Sequence, residues 1–283
     1  MALFTNQAQL SYNNSVVASN IAVGEILEVL SVTKTALSTS YSRDDTVTYV
    51  ISLVNSGTLP VTGLTVTDDL GTYTSGGLTL TPLTYVNGSV RYFVDGVLQP
   101  APAVTSGNSL SFANITVPAG GNTIIIYEAE INSFAPLVAG STIVNAVTAE
   151  GGGITPITAT ETVTAAVSPF LTITKAISPV PVTENGTLTY TFTIANYGNT
   201  PVLVTDDAIV TDTFNPILTN VTASFNGTTW VEGTNYTYDE TTGLFATLPG
   251  QITVPAASYT QDPVTGNWIT TPGTATLVVT GTV

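Results

Sequence analysis

Two lysines stand out first as chemistry. Lys34 and Lys175 belong to a chain in which Lys and Arg together number only 4. Each closes an alternating run, Leu30-Ser31-Val32-Thr33-Lys34 and Leu171-Thr172-Ile173-Thr174-Lys175. In a strand, alternate side chains point to opposite faces, so such a run turns one row toward a core. Burial pushes a lysine in that row toward its neutral, nucleophilic amine. A neighbouring protonated carboxyl group that polarises an Asn side-chain amide would let the amine attack it, leaving an isopeptide bond and releasing ammonia. The plainer alternative is a solvated lysine, since one strand residue in two faces outward. Other catalytic chemistry is thin. The chain has no His and no Cys, which removes imidazole bases, thiol nucleophiles, thiolate metal sites and disulfides. No catalytic residue, cofactor or resident metal is expected.

The elements that must position these lysines are strands. Apolar and Thr/Ser residues alternate through Thr46–Val54, Leu64–Thr67 and Thr187–Ile194, the signature of strands with one buried face. Asn55-Ser56-Gly57, Asn87-Gly88, Asp95-Gly96, Asn226-Gly227 and Thr242-Gly243 punctuate them as turns. No segment has convincing helical periodicity. The expected fold is all-β, built from Ig-like β-sandwiches. Charged residues are 8% of the chain, against about 25% in ordinary soluble proteins. The net charge of −15 excludes nucleic acid and anionic membrane surfaces, which need a basic footprint. No run approaches the ~20 apolar residues of a membrane span.

The chain also repeats. When Lys34 is laid on Lys175, Tyr49 meets Tyr190, Asn55 meets Asn196, Gly57 meets Gly198 and Pro60 meets Pro201. Thr67-Asp68 then meets Thr211-Asp212 after a short insertion, and Ile115-Thr116-Val117-Pro118-Ala119 returns as Ile252-Thr253-Val254-Pro255-Ala256. The first copy continues through Ile143–Thr148, a Gly151-Gly152-Gly153 turn and Ile157–Val163, which reads as a closing hairpin; the second ends at Val283 without one. A similar hairpin precedes the first copy: Phe4–Tyr12, the Asn13-Asn14 turn and Val16–Val23. The expected organisation is a donor arm over residues 1–26, a first sandwich over 27–167, and a second over 168–283 that lacks its closing hairpin.

A sandwich short of two strands leaves a face bare and backbone groups unpaired, and an isolated hairpin is marginal in water. Each defect cures the other if one copy's arm enters the next copy's second domain. The expected partner is therefore another copy, joined head to tail, a heterologous contact that builds open filaments unless it closes a ring. The donor face is assigned to Phe4, Ala8, Leu10, Tyr12, Val17 and Ile21, and the acceptor strand to Leu277 and Val279. The competing readings are an arm folded onto its own first domain, a disordered leader, a second sandwich complete as it stands, and closure into a ring or dimer.

These motifs resemble the conserved repeat of bacterial cell-surface proteins known as domain of unknown function eleven. The likeness lies in the first strands Thr33-Lys34-Thr35 and Thr174-Lys175-Ala176, and in Asn-x-Gly at Asn55 to Gly57 and Asn196 to Gly198. It continues in the strand ends Val66-Thr67-Asp68 and Val210-Thr211-Asp212, and in an Asn on the closing strand, at Asn145 and, in the arm, Asn6. The resemblance implies Ig-like sandwiches used in stalks, surface layers and fibres, and no defined activity. Related surface-fibre sandwiches form isopeptide bonds between first and last strands. Carried over by position, the intramolecular set is Lys34, Asn145 and Asp68; the intermolecular set is Lys175 and Asp212 of one copy with Asn6 of its neighbour. The first cation is Lys34, so the start does not read as a signal peptide. Together with the resemblance, that start leads to the expectation of an extracellular cell- or spore-surface appendage. The alternative is a monomeric adhesin or Ca-dependent surface-binding module, with Asp44-Asp45, Asp68-Asp69 and Asp206-Asp207 as oxygen ligands. Tyr12, Tyr49, Tyr190, Trp230 and Trp268 could stack on sugars, although packing within a sheet is the commoner use of aromatic residues.

Overall fold

The computed structural model describes residues 2–26 and 28–283. Residues 1 and 27, which open the expected arm and the expected first sandwich, lie outside the described residues. The protein is all-β, with one short 3₁₀ turn at Val204–Asp206 among the described residues. It divides into two compact units, one of residues 1–74, 79–132 and 143–163, the other of 75–78, 133–142 and 164–283.

The first unit is a two-sheet sandwich. One sheet runs, in spatial order, Val97–Gln99, Arg91–Val94, Asn122–Ile131, Thr46–Asn55 and Leu30–Ala36, with Leu83–Tyr85 also on Asn122–Ile131. The other runs Ala103–Ser106, Leu110–Val117, Val61–Asp68, Thr142–Gly151, Ile157–Ala165 and Ser40–Tyr41. Alternation decides the inward rows: Val47, Tyr49, Ile51 and Leu53 are buried on one strand, Ile125, Tyr127, Ala129 and Ile131 on its neighbour. Tyr127 stacks on Tyr49 within one sheet and meets Phe112 of the other at 5.9 Å between ring centroids. Two-residue turns make the hairpins. Asp95 (φ 46°) with Gly96 (φ 77°) and Asn226 (φ 48°) with Gly227 (φ 80°) supply the two positive φ values of a type I′ turn.

Asn55 and Asn196 do more than mark turns. Both are buried at strand ends. The Asn55 amide donates to the carbonyl oxygens of Leu59 at 2.8 Å and Pro118 at 3.0 Å, and its Oδ1 accepts from Gly57 N at 2.9 Å. Asn196 repeats the arrangement with Thr200, Pro255 and Gly198. The repeated Asn-x-Gly and Val-Pro-Ala motifs are thus two halves of one clasp.

The second unit keeps one sheet and shortens the other. Leu171–Ser178, Thr187–Asn196, Gly273–Thr282, Thr219–Phe225 and Thr228–Trp230 form a five-stranded sheet. The second sheet, among the described residues, has three strands, Thr211–Thr213, Leu244–Thr247 and Tyr236–Asp239. Phe214 bridges the two layers, stacking on Tyr190 with centroids 4.6 Å apart. Among the described residues nothing pairs with the Thr211–Thr213 strand on its other edge, where the first unit places Thr142–Gly151 beside Val61–Asp68.

The acceptor assignment needs correction. Leu277 is paired on one side with Phe192 and on the other with Phe225, and Val279 with Tyr190 and Ala223. Both belong to a central strand whose two edges are occupied, so neither can receive a further strand. Thr211–Thr213, by contrast, is an edge strand of the facing sheet, free on one side among the described residues.

The arm is one long hairpin. Ala2–Asn6 pairs with Ala22–Ile26, and Gln9–Tyr12 with Ser15–Ala18, around Asn13 (φ 44°) and Asn14 (φ 64°). Asn6 pairs with Ala22 and Gln9 with Ala18, so Ser19, Asn20 and Ile21 stand against only Gln7 and Ala8, and the return strand carries an extra residue. Among the described residues, neither strand pair is hydrogen-bonded into any other sheet.

Candidate functional site

In the first unit, Lys34 lies on the Leu30–Ala36 strand and Asp68 ends Val61–Asp68 in the facing sheet. Lys34 Nζ donates to Asp68 Oδ2 at 2.5 Å, and both side chains are fully buried. The same oxygen accepts the Tyr127 hydroxyl at 2.5 Å, while Asp68 Oδ1 accepts Leu70 N at 2.9 Å. Asn145, on the neighbouring Thr142–Gly151 strand, donates Nδ2 to the Tyr127 oxygen at 3.2 Å and accepts Gly71 N on Oδ1 at 3.2 Å. The three residues expected from the sequence therefore share one buried cluster. Alternation placed Lys34 inward; Asp68 is reached because its strand ends beneath it.

Burial is the main cause that lowers the Lys34 pKa, opposed by the charge and hydrogen bond of Asp68. Burial likewise raises Tyr127, reinforced by Asp68, and it raises Tyr49. The Tyr49 ring lies 4.8 Å under Lys34 Nζ. Lys34 is thus a buried ammonium paired with one carboxylate and lying against the Tyr49 ring. Tyr127 was missed from the sequence because it ends the apolar run Ile124-Ile125-Ile126, where an aromatic reads as core. Its signal is positional. Tyr127 is the register partner of Tyr49, and the corresponding partner of Tyr190 is Val279.

The second unit repeats the pair and leaves it open. Lys175 Nζ donates to Asp212 Oδ2, with side-chain exposures of 39% and 19%. The rings of Tyr190 and Phe214 lie 4.5 Å and 5.3 Å from the ammonium. All eight residues of Leu171–Ser178 are exposed, whereas Leu30 and Lys34 of the matching strand are buried. The row Leu171, Ile173, Lys175 and Ile177 is bare because no counterpart of Thr142–Ala165 covers it among the described residues.

In the arm, Phe4, Asn6, Ala8, Leu10 and Tyr12 are all exposed, as are Val17 and Ile21. Leu10 faces the same side as its cross-strand partner Val17. The Phe4 ring lies over its partner Gly24, where an added Cβ would come within 2.2 Å of it. Ile21 falls in the irregular stretch of the return strand, outside the regular row. The spacing of Phe4, Asn6, Ala8 and Leu10 equals that of Ile143, Asn145, Val147 and Ala149, the buried residues of Thr142–Gly151.

The paired aspartates serve turns. Asp45 accepts Ser42 N at 2.6 Å, Asp69 accepts Gly71 N and Ala146 N at 2.9 Å, and Asp206 accepts Leu203 N at 2.7 Å. Asp44 and Asp207 take positive φ values at their turns. No group of three metal-ligating side chains occurs among the described residues. Tyr49 and Tyr190 are core residues and cannot stack on a sugar.

No protein-family model and no curated protein sequence matches the chain. Solved structures similar to it include BcpA, the major pilin subunit of Bacillus cereus, at 13% identity, covering 96% of this chain and 73% of that one, with a TM-score of 0.35. A C-terminal fragment of the major pilin GBS80 of Streptococcus agalactiae is similar at 11% identity, over 87% of this chain and 91% of that one, with a TM-score of 0.36. The collagen-binding subdomain of the Enterococcus faecalis surface protein ACE is similar at 10% identity, over 50% of this chain and 99% of that one, with a TM-score of 0.33.

Proposed function

We propose that the protein is a structural, non-enzymatic subunit of a surface fibre that polymerises head to tail, the N-terminal hairpin of one copy completing the second sandwich of the next. The observation that carries this reading is the bare row of Leu171–Ser178 beside the unpaired edge of Thr211–Thr213. A hairpin laid along that edge gains main-chain hydrogen bonds and covers the row. Seated as Thr142–Gly151 is seated on Val61–Asp68, the arm sets Ala8 opposite Asp212, by analogy with Val147 opposite Asp68. Phe4 and Leu10 then take the places of Ile143 and Ala149, and Asn6 takes that of Asn145.

Each apolar side chain taken from exposed to buried contributes up to about 1.5–3 kcal/mol. Leu171, Ile173 and Ile177 with Phe4, Leu10 and Val17 reach the size needed to offset an association cost of about 4–15 kcal/mol. Donor and acceptor surfaces differ, so the contact is heterologous and propagates. Covalent closure follows the same geometry: Lys34 with Asn145 inside the first sandwich, and Lys175 with the neighbour's Asn6 at the joint, each assisted by its aspartate. Both bonds resist heat and detergent, as suits an appendage outside the cell.

Removing residues 1–26 tests the assembly. Negative-stain electron microscopy should show fibres from the full chain and none from the truncated one; normal fibres without the arm would refute strand donation. For the covalent joint, a ladder that survives boiling in detergent is expected from fibres, and its loss in Asn6→Ala or Lys175→Ala.

A further inference from the structure

We propose that Tyr127 and the backbone N–H of Gly71 complete a ligation centre in the first sandwich: the tyrosine relays a proton from Asp68 to the departing amide nitrogen of Asn145, and Gly71 holds the oxyanion. This rests on the covalent reading of Lys34 and Asn145 given above.

The geometry sets the roles. Asp68 Oδ2 touches the lysine amine and the tyrosine hydroxyl, each at 2.5 Å. Asp68 and Asn145 share no hydrogen bond among the described residues; Tyr127 stands between them, accepting Asn145 Nδ2 at 3.2 Å. Asp68 therefore reaches the leaving nitrogen through that hydroxyl. On the opposite side of the amide, Gly71 N shares its hydrogen between Asp69 Oδ1 at 2.9 Å and Asn145 Oδ1 at 3.2 Å, and it can shift toward the latter as negative charge develops there during attack. Gly71 sits at φ +70°, and a Cβ there would meet Ile143 Cγ2 at 2.5 Å, so this approach of the backbone to Asn145 requires glycine.

The steps balance. Lys34 passes one ammonium proton to Asp68, and the free amine adds to Asn145 Cγ, forming the new C–N bond. The resulting oxyanion is held by Gly71 N–H. Protonated Asp68 now donates to the Tyr127 oxygen, whose own hydrogen passes to Nδ2; that nitrogen becomes basic only once the amide is tetrahedral. Asp68 recovers a proton from the attacking nitrogen. Collapse breaks Cγ–Nδ2, releases one ammonia, and leaves an isopeptide N–H, an intact Tyr127 and a neutral Asp68.

The second sandwich lacks both parts. Val279 occupies the position of Tyr127, opposite Tyr190 as Tyr127 is opposite Tyr49. Counting on from the aspartate, Asn215 stands where the first unit has Gly71. A valine has no proton to pass on, so the intramolecular bond forms first and the joint at Lys175 forms more slowly.

The test is the intact mass of freshly translated full-length chain followed over time, in a Lys175→Ala background so that only the first-sandwich bond is read. The parent should become one ammonia lighter, with Lys34 and Asn145 joined in its peptide map. Tyr127→Phe keeps the ring on Tyr49 and should lose ammonia about a hundredfold or more slowly, the scale of general acid–base catalysis. Loss at the parent's rate would overturn the relay while sparing the covalent reading; no loss even from the parent would overturn both. Should Tyr127→Phe fail to fold, 3-fluorotyrosine at position 127 changes the acidity of the hydroxyl at nearly constant shape. It should shift the pH–rate profile of ammonia loss, and an unshifted profile would overturn the relay.

Discussion

Lys34 and Lys175 have the same partner type and opposite surroundings, and the difference decides what each can do. Lys34 is sealed with Asp68, so in an Asn145→Ala background, where no bond can form, Lys34→Ala leaves a buried carboxylate uncompensated. That change should cost about 3–5 kcal/mol in urea denaturation, whereas Lys175→Ala, whose pair is open to water, should cost under about 1 kcal/mol. In Asn145→Ala protein the lysine cannot be consumed and its titration becomes visible. Its folded pKa lies below 10.5, so between those two values the unfolded chain holds the extra proton and stability rises with pH. Tyr127 and Tyr49 are raised above 10.0, so past that pH the unfolded chain ionises first and stability falls. Urea midpoints should climb toward pH 10 and drop beyond it; a flat profile would contradict the burial argument. The lysines and aspartates were legible because duplication printed them twice. Tyr127 was not, because its copy is Val279 and a hydroxyl's partners depend on the facing sheet.

At the scale of strands, alternation and Asn-Gly or Asp-Gly turns were enough to read the inward rows, since a strand has only two faces. Which edges are occupied is a different property, set by the spatial order of strands. That is why Leu277 and Val279 were mistaken for an acceptor: their alternation is that of any core strand, and it says nothing of Thr187–Asn196 and Thr219–Phe225 on either side. The bare row gives a sharp expectation. Ile173 is 53% exposed, so Ile173→Asp should shift the stability of the truncated, non-assembling chain by no more than about 0.5 kcal/mol. The same substitution in the full chain should abolish fibres, because it sets a charge beneath the incoming hairpin. If Ile173→Asp assembles normally under the electron microscope, the row is not the seat of the arm.

For the molecule as a whole, the proposed donation of a spare hairpin into an uncovered sandwich implies directional assembly. A chain lacking residues 1–26 still offers an acceptor but donates nothing. Added in small amounts to the full chain, it should therefore stop growth at one end and shorten fibres in proportion to its share. The protein has no cysteine, which allows a direct trap of the joint. Asn6→Cys and Lys175→Cys chains, purified separately, mixed and oxidised, should form a disulfide-linked dimer on a non-reducing gel that neither forms alone. No mixed dimer, together with a closed monomer from the Asn6→Cys/Lys175→Cys double variant, would mean that the arm completes its own chain, and head-to-tail donation would be contradicted.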